Sequence, residues 1–177
     1  MARTSDAAPT ADPGLKDHFR IAMRGVASSV FLVTTRGPEG RAGMTATSVC
    51  SLSFDPLSVL ICVNRSTAFI RALEASRRFA LNILSHDDEP IAKEFGSAAG
   101  RERRFETGDW YDVDGMPALG TSLSTIVCEV AGHTDFGSHR VFVGQVRQVD
   151  NREGRSELLY CQGSFRTLPR DSLHSFS

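Results

Sequence analysis

Three stretches of this sequence carry residue types that could hold or handle a ligand. The first, Gly43 to Thr67 (GMTATSVCSLSFDPLSVLICVNRST), sets a Thr/Ser-rich strand beside an almost wholly apolar one across an Asp55-Pro56 turn. A flat heteroaromatic ring with carbonyl and imide edges needs an apolar floor and a few donors and acceptors. Thr45, Thr47 and Ser48, next to strand backbone, could supply them; the same hydroxyls equally suit a solvent-facing strand. The second stretch, Asn64-Arg65-Ser66-Thr67, precedes a helical pattern. Free N–H groups and the positive dipole end at a helix start make an anion site, with Arg65 adding charge. Plain helix capping uses the same residues. The third, Asp135-Phe136-Gly137-Ser138-His139-Arg140, lies between two strands. Its His-Arg pair could hold a diphosphate or order a nicotinamide, and a solvated loop is the alternative.

Other chemistries are excluded by what these motifs lack. No GxGxxG, GxxxxGK[ST] or GxSxG occurs, so Rossmann, P-loop and nucleophile-elbow sites are unsupported. Ser138 and His139, adjacent on a strand, should project to opposite sides, which argues against a hydrolase triad. The net charge of −1 gives no nucleic-acid footprint, and the run Arg101, Arg103, Arg104, interrupted by Glu102, reads as a solvated loop. The four cysteines, Cys50, Cys62, Cys128 and Cys161, show no metal-ligand spacing. Three sit in apolar runs, where a thiol behaves as a small buried hydrophobe. No apolar run approaches the roughly 20 residues of a membrane span. A reduced, cytoplasmic protein is expected.

The elements that must position these stretches follow from periodicity. Residues 1–11 read as a disordered tail, and Asp12-Pro13 as the start of a helix. That helix should pack through the stripe Leu15, Phe19, Ala22, Met23, Val26. Strands are expected over Val30–Thr35, Ala42–Ser53, Leu57–Val63, Phe79–Leu84, Leu123–Ala131, Val141–Val149 and Ser156–Gln162. Within Ala42–Ser53, Thr45, Thr47, Val49, Ser51 and Ser53 share one face; Leu57–Val63 suits burial on both faces. Helices are expected after Thr67, anchored by Phe69, Ile70 and Leu73, and after Pro90, carrying Ile91, Ala92 and Phe95. Residues 96–120 read as a loop that packs through Phe105, Trp110 and Met116, long enough to be functional. Hairpin connections without regular βαβ alternation predict a mainly β fold, an antiparallel barrel with inserted helices.

In order and spacing, VFLVTTRGPEGRAGMTATSVCSLSFDP, LICVNRST, RFALNIL, GSHRVFVGQV and LLYCQGSFRTL resemble the short-chain flavin reductases. These are the reductase components of two-component flavin-dependent monooxygenases, and the likeness runs from Phe19 to Leu168. The resemblance implies a single split β-barrel domain of the FMN-binding type, residues 15–168, between tails 1–14 and 169–177. It implies a homodimer that binds FAD or FMN near its interface and uses NADH, or NADPH, to reduce it for a partner monooxygenase, with no nucleic-acid or membrane partner. Thr45, Ala46, Thr47 and Ser48 would approach the flavin ring. Cys62, Val63, Asn64, Ser66 and Thr67 would hold the ribityl chain and phosphate, with Asn82 close by. The family's Gly-Asp-His loop corresponds to Gly137, Ser138 and His139, with Ser138 in place of the acid, and His139 takes the catalytic position at the nicotinamide. A non-enzymatic flavin-binding module on the same barrel is the alternative, and a pyridoxamine-phosphate-oxidase-like enzyme ranks third.

Overall fold

The structure, a computed structural model, describes residues 12–99 and 101–168; the expected tail segments 1–11 and 169–177 lie outside them. Asp12 caps the first helix, α1 (Pro13–Arg24), its Oδ1 accepting the Gly14 N–H at 3.1 Å. The helix begins at the Asp12-Pro13 start that the sequence predicts. A two-residue strand β1 (Ser28–Ser29) follows where the sequence pattern only marked a helix end. Then come β2 (Phe31–Gly37), β3 (Gly40–Ala46), β4 (Val49–Phe54), β5 (Leu57–Asn64), α2 (Ala68–Ser76) and β6 (Arg78–Ile83). After a 3-10 turn at His86–Asp88 the chain continues through α3 (Glu89–Gly96), β7 (Trp110–Val113), β8 (Met116–Leu119), β9 (Ser124–Phe136), β10 (His139–Asn151), β11 (Leu159–Cys161) and β12 (Ser164–Arg166).

Seven strands form one antiparallel sheet in the order β3-β2-β6-β9-β10-β5-β4. Its two edge strands, β3 and β4, are consecutive in the chain and joined only by Thr47 and Ser48. Two residues span at most about 7 Å, so the sheet must curl until its edges meet at that step. This is the split barrel expected from the resemblance, closed by the chain rather than by a ladder between β3 and β4. It also corrects one expectation. Ala42–Ser53 is two strands with different partners, β3 on β2 and β4 on β5, and a bulge between Ser51 and Ser53 breaks the alternation further.

The barrel interior is packed by Val33, Ile61, Val63, Leu81, Phe79, Cys128 and Phe142, closed by the Phe69, Ile70 and Leu73 face of α2 as the sequence predicts. Each such side chain contributes roughly 1.5–3 kcal/mol on burial. A second cluster joins Ala92 and Phe95 of α3 to Leu32, Leu84, Leu119, Leu158 and Phe105, with Trp110 packed against it. The stretch 96–120 is therefore more than a loop. It contains the hairpin β7–β8, turned by Asp114 and Gly115 with φ of 50° and 79°, as a type I′ turn requires.

Three expectations of burial fail in the single chain. The α1 stripe is uncovered, with Phe19 65% exposed. Only the inner face of β5 is fully buried, through Val59, Ile61 and Val63, while Leu60 and Cys62 on the other face are half-buried. Of the cysteines, Cys128 alone is buried; Cys50 is exposed, and Cys62 and Cys161 are intermediate.

Burial pushes the Cys128 thiol up to about 12. A raised folded-state value means that its stabilising effect is complete below the unfolded thiol range and is lost as pH rises from about 8.5 toward 12. At pH 8, a thiol reagent is expected to modify Cys50 in the native protein and Cys128 only after unfolding. Rapid native modification of Cys128, read by mass spectrometry, would contradict this packing.

Candidate functional site

The predicted site residues fall into two groups that the Thr47–Ser48 step connects. The first lies on β3 and the step itself. Thr45, Ala46 and Thr47 line an open hollow of about 360 Å³ with Val30, Ala92, Tyr160 and Phe165. Thr45 also lines a larger cavity of about 750 Å³, shared with Thr67, Ala68 and Phe69 of the α2 entry. Its hydroxyl donates to the Ala92 carbonyl at 2.7 Å, so it ties β3 to α3 instead of offering a donor outward. Thr47 and Ser48 are exposed.

The second group sits where β5 runs into α2. Asn64 Oδ1 accepts from the Ser66 N–H at 3.0 Å and the Ser66 hydroxyl at 2.9 Å. Thr67 stands at the N-cap of α2 without a side-chain capping bond, and its hydroxyl donates to Asn64 O at 2.8 Å. These local bonds shape the turn that leads into α2, and both the capping and the anion-site readings survive them. The Gly137-Ser138 turn of the long β9–β10 hairpin arrives directly beside it. His139 pairs in register with Asn64, and the Arg65 N–H donates to Ser138 O at 2.9 Å. The step between the two groups is bridged by backbone, the Cys62 N–H donating to Ser48 O at 3.0 Å. Thr45–Ser48, Cys62–Thr67 and Gly137–His139 are thereby one continuous region of surface, with Val63 buried beneath it.

Charge holds the turn in place. Arg140 makes a two-pronged pair with Asp135, Nη2 donating to Oδ2 at 2.8 Å, and also reaches Glu74 on α2. Arg65 lies 3.7 Å from Asp135. The hydrogen bond from Arg140, helped by the charges of Arg140, Arg65 and His133, holds the Asp135 carboxyl below the usual carboxylate range. Its contribution is present above that range and is lost as acid protonates it. On the neighbouring strand, burial and the adjacent Cys50 raise the Cys62 thiol, so it lines the wall as a neutral group.

Two sequence expectations are corrected. Ser138 and His139 do not point apart. Ser138 belongs to the turn, not to a strand, and its hydroxyl lies 2.9 Å from His139 Nδ1. The arginine run is solvated only in part, with Arg101 and Arg103 exposed and Arg104 half-buried. Arg104 donates to Gly43 O at 3.1 Å, also reaches Ser97 O, and lies over the Phe95 ring, while Arg101 and Arg104 both line the larger cavity. Burial, then Arg101, lowers the Arg104 guanidinium from its ordinary value.

Asn82 is not brought to this surface. It is fully buried, its amide donating to Leu32 O and Thr34 Oγ1 and accepting from the Leu119 N–H and Thr125 Oγ1. All four amide positions are used within the protein, so Asn82 fastens β2, β8 and β9 around β6. Tyr160, Phe165 and the cavity arginines are site residues that the motif reading passed over. LLYCQGSFRTL contained the first two, without spacing that would mark them as wall residues.

Residues 23–169 match the family described as "Flavin reductase like domain". The chain belongs to the flavin reductase-like family. An "FMN reductase (NADH) RutF 1" of Methylorubrum extorquens is 39% identical over 153 residues, 86% of this chain and 76% of the relative. Among solved structures, nitrilotriacetate monooxygenase component B from Mycobacterium thermoresistibile superposes with a TM-score of 0.87 at 28% identity, covering 94% of each chain. The NADH:FAD oxidoreductase SgcE6 of Streptomyces globisporus, solved with NAD and FAD fragments, superposes at 0.83 and 28% identity, covering 93% of this chain and 99% of its own. For this flavin reductase-like chain the hollow and the larger cavity fit a flavin by size, and the hydroxyl-bearing corner fits its polar edge.

Replacing Asn82 by Ala is expected to leave the buried Leu119 N–H without its acceptor and to remove the hydrogen bonds to Thr34 and Thr125. A cost of about 1–3 kcal/mol in urea unfolding should follow, without selective loss of ligand affinity. Unchanged stability with weakened flavin binding would place Asn82 in the site instead.

Proposed function

We propose that this chain passes a hydride from NADH to FAD or FMN and releases the reduced flavin to a separate flavin-dependent monooxygenase. The observation that carries this reading is the single surface formed by Thr45–Ser48, Cys62–Thr67 and Gly137–His139, joined through the Cys62–Ser48 backbone bond. The names of the relatives, which specify NADH with FMN or FAD, support the choice of substrates. When bound, the flavin supplies the acceptor atom for hydride from the nicotinamide, and both reacting atoms belong to the dinucleotides.

The protein then has to bind, orient and exclude water. Ala46, Thr47 and Ser48 would hold one edge of the flavin ring, with Tyr160 and Phe165 across the hollow. Asn64, Ser66 and Thr67 receive the ribityl chain and phosphate, and Arg65 opposes its charge. Gly137 and Ser138 shape the turn that carries His139, whose Nδ1 is engaged by the Ser138 hydroxyl, leaving Nε2 to meet the nicotinamide.

The same reading makes the protein a homodimer. Leu52, Phe54 and Leu57, along the β4–β5 edge of the sheet, are all exposed, Phe54 by 85%. So much apolar surface around a sheet edge marks an interaction site. A cytoplasmic setting agrees with four free cysteines. No helix among the described residues is long and apolar enough to cross a membrane.

Purified protein should oxidise NADH rapidly only when FMN or FAD is added, and His139→Ala should raise the KM for NADH about tenfold, near 1.4 kcal/mol, with little change for flavin. Absence of flavin-dependent turnover would overturn the reading; equal losses for both substrates would remove His139 from its role. Phe54→Asp should shift the mass measured by light scattering from dimer to monomer, and a wild-type monomer would contradict the interface.

A further inference from the structure

We propose that Lys93 is the residue by which this site distinguishes reduced from oxidised flavin, its ammonium offsetting the negative charge that hydride transfer leaves on the ring. This deepens the flavin reductase reading and rests on it for the placement of the ring in the smaller hollow.

Hydride transfer changes the charge of both partners. The C–H bond at the nicotinamide C4 breaks, and its proton and electron pair together form the N–H bond at flavin N5. The nicotinamide gains a positive charge and the flavin a negative one, with no proton drawn from water. The oxidised flavin ring is neutral. A cation beside the ring therefore favours the reduced state selectively, whereas walls that only stack or hydrogen-bond hold both states.

Lys93 is the one charged side chain among the described residues that line the hollow. Around it the wall is small, neutral or aromatic, as at Ala46, Thr47, Tyr160 and Phe165. The ammonium lies 6.0 Å from the centroid of the Phe165 ring, on the aromatic side of the hollow. Its place in the helix matters as well. Gly96 and Ser97, at the C-terminal end of α3, also line the hollow, and a helix presents a partial negative charge at that end. Without Lys93 in the last turn, the hollow would oppose a ring that is becoming an anion.

The competing partner is Glu89, one turn earlier, whose Oε1 lies 2.6 Å from Lys93 Nζ. The Lys93 side chain is 63% exposed, and an exposed i,i+4 pair of this kind is weak. It holds the ammonium at the rim without fixing it there, so the new charge on the ring can recruit it. The transition state already carries part of that charge, and the same contact then speeds the transfer.

The test is anaerobic calorimetric titration of the full chain with oxidised FMN and with chemically reduced FMN. It is repeated on Lys93→Gln, Lys93→Arg and Glu89→Gln, with folds compared by circular dichroism and Tm. Lys93→Gln is expected to weaken binding of reduced FMN about tenfold and to change binding of oxidised FMN little. That ratio corresponds to a bound-flavin potential lowered by about 30 mV. Lys93→Arg should keep the selectivity, and Glu89→Gln should keep or increase it. A folded Lys93→Gln variant with the wild-type ratio of the two affinities overturns the inference. So does a Glu89→Gln variant that reproduces the loss, which would make Lys93 a brace of α3. Either result in a protein that still oxidises NADH with added flavin leaves the proposed function standing. Selectivity that depends on Lys93, in a protein with no NADH-dependent flavin reduction, supports the inference and overturns the function.

Discussion

The two-residue step at Thr47–Ser48 is the constraint from which the rest of this structure follows. It joins the outermost strands of a seven-stranded sheet, and strands on opposite edges of a flat sheet of that width would be several times too far apart for it. The sheet has to curl, and the curl brings the end of β3 to the start of β4. The Cys62 N–H bond to Ser48 O continues the β4–β5 ladder beyond Val49 and Ile61, and the curl adds Thr45 and Thr47 at the end of β3 to that corner, beside the α2 entry and the β9–β10 turn. Fold closure and site assembly are one event in this chain.

Around that step the chemistry divides by depth. Inside, polar groups are consumed by the protein: Asn82 joins three neighbouring strands, and Thr34 donates to Pro117 O at 2.6 Å. A buried network of this kind fixes register because each member would be costly to leave unpaired. Outside, Thr47 and Ser48 are exposed, and the charged groups cluster on either side of the proposed ligand path. Asp135, Arg140 and Glu74 brace the turn that carries His139, while Arg41 and Arg104 of the larger cavity sit over aromatic rings. A reaction in which both reacting atoms come from the ligands needs this division. It asks for rigid support below and binding groups above, with no nucleophile or strongly perturbed base between them.

Much of this was legible in the sequence, for physical reasons that can be named. The α2 anchors Phe69, Ile70 and Leu73 follow from helical periodicity, and hairpin connections without βαβ alternation imply an antiparallel sheet. Motif order exposed the family and brought Thr45–Ser48, Asn64–Thr67 and Gly137–His139 under suspicion. What stayed hidden was long-range. Nothing local in Ala42–Ser53 says that the strand changes partners at residue 47, because both halves carry strand-like residues. Asn82 reads as a polar residue in a motif until its partners on β2, β8 and β9 are known. The α1 stripe reads as a packing face, and periodicity cannot say whether the surface it packs on belongs to the same chain. Ser138 and His139 were assigned strand geometry, whereas a tight turn lets adjacent side chains meet. Arg104 looked solvated because Gly43, whose carbonyl it reaches, lies far away in sequence.

The central claim is spatial: the hydroxyl corner and the α2 entry are two sides of one flavin site. A crystal structure of the chain with FMN tests it most directly. The account predicts the flavin ring against Ala46, Thr47 and Ser48, with its phosphate at Asn64–Thr67. Flavin density elsewhere, with both segments facing solvent, would contradict it.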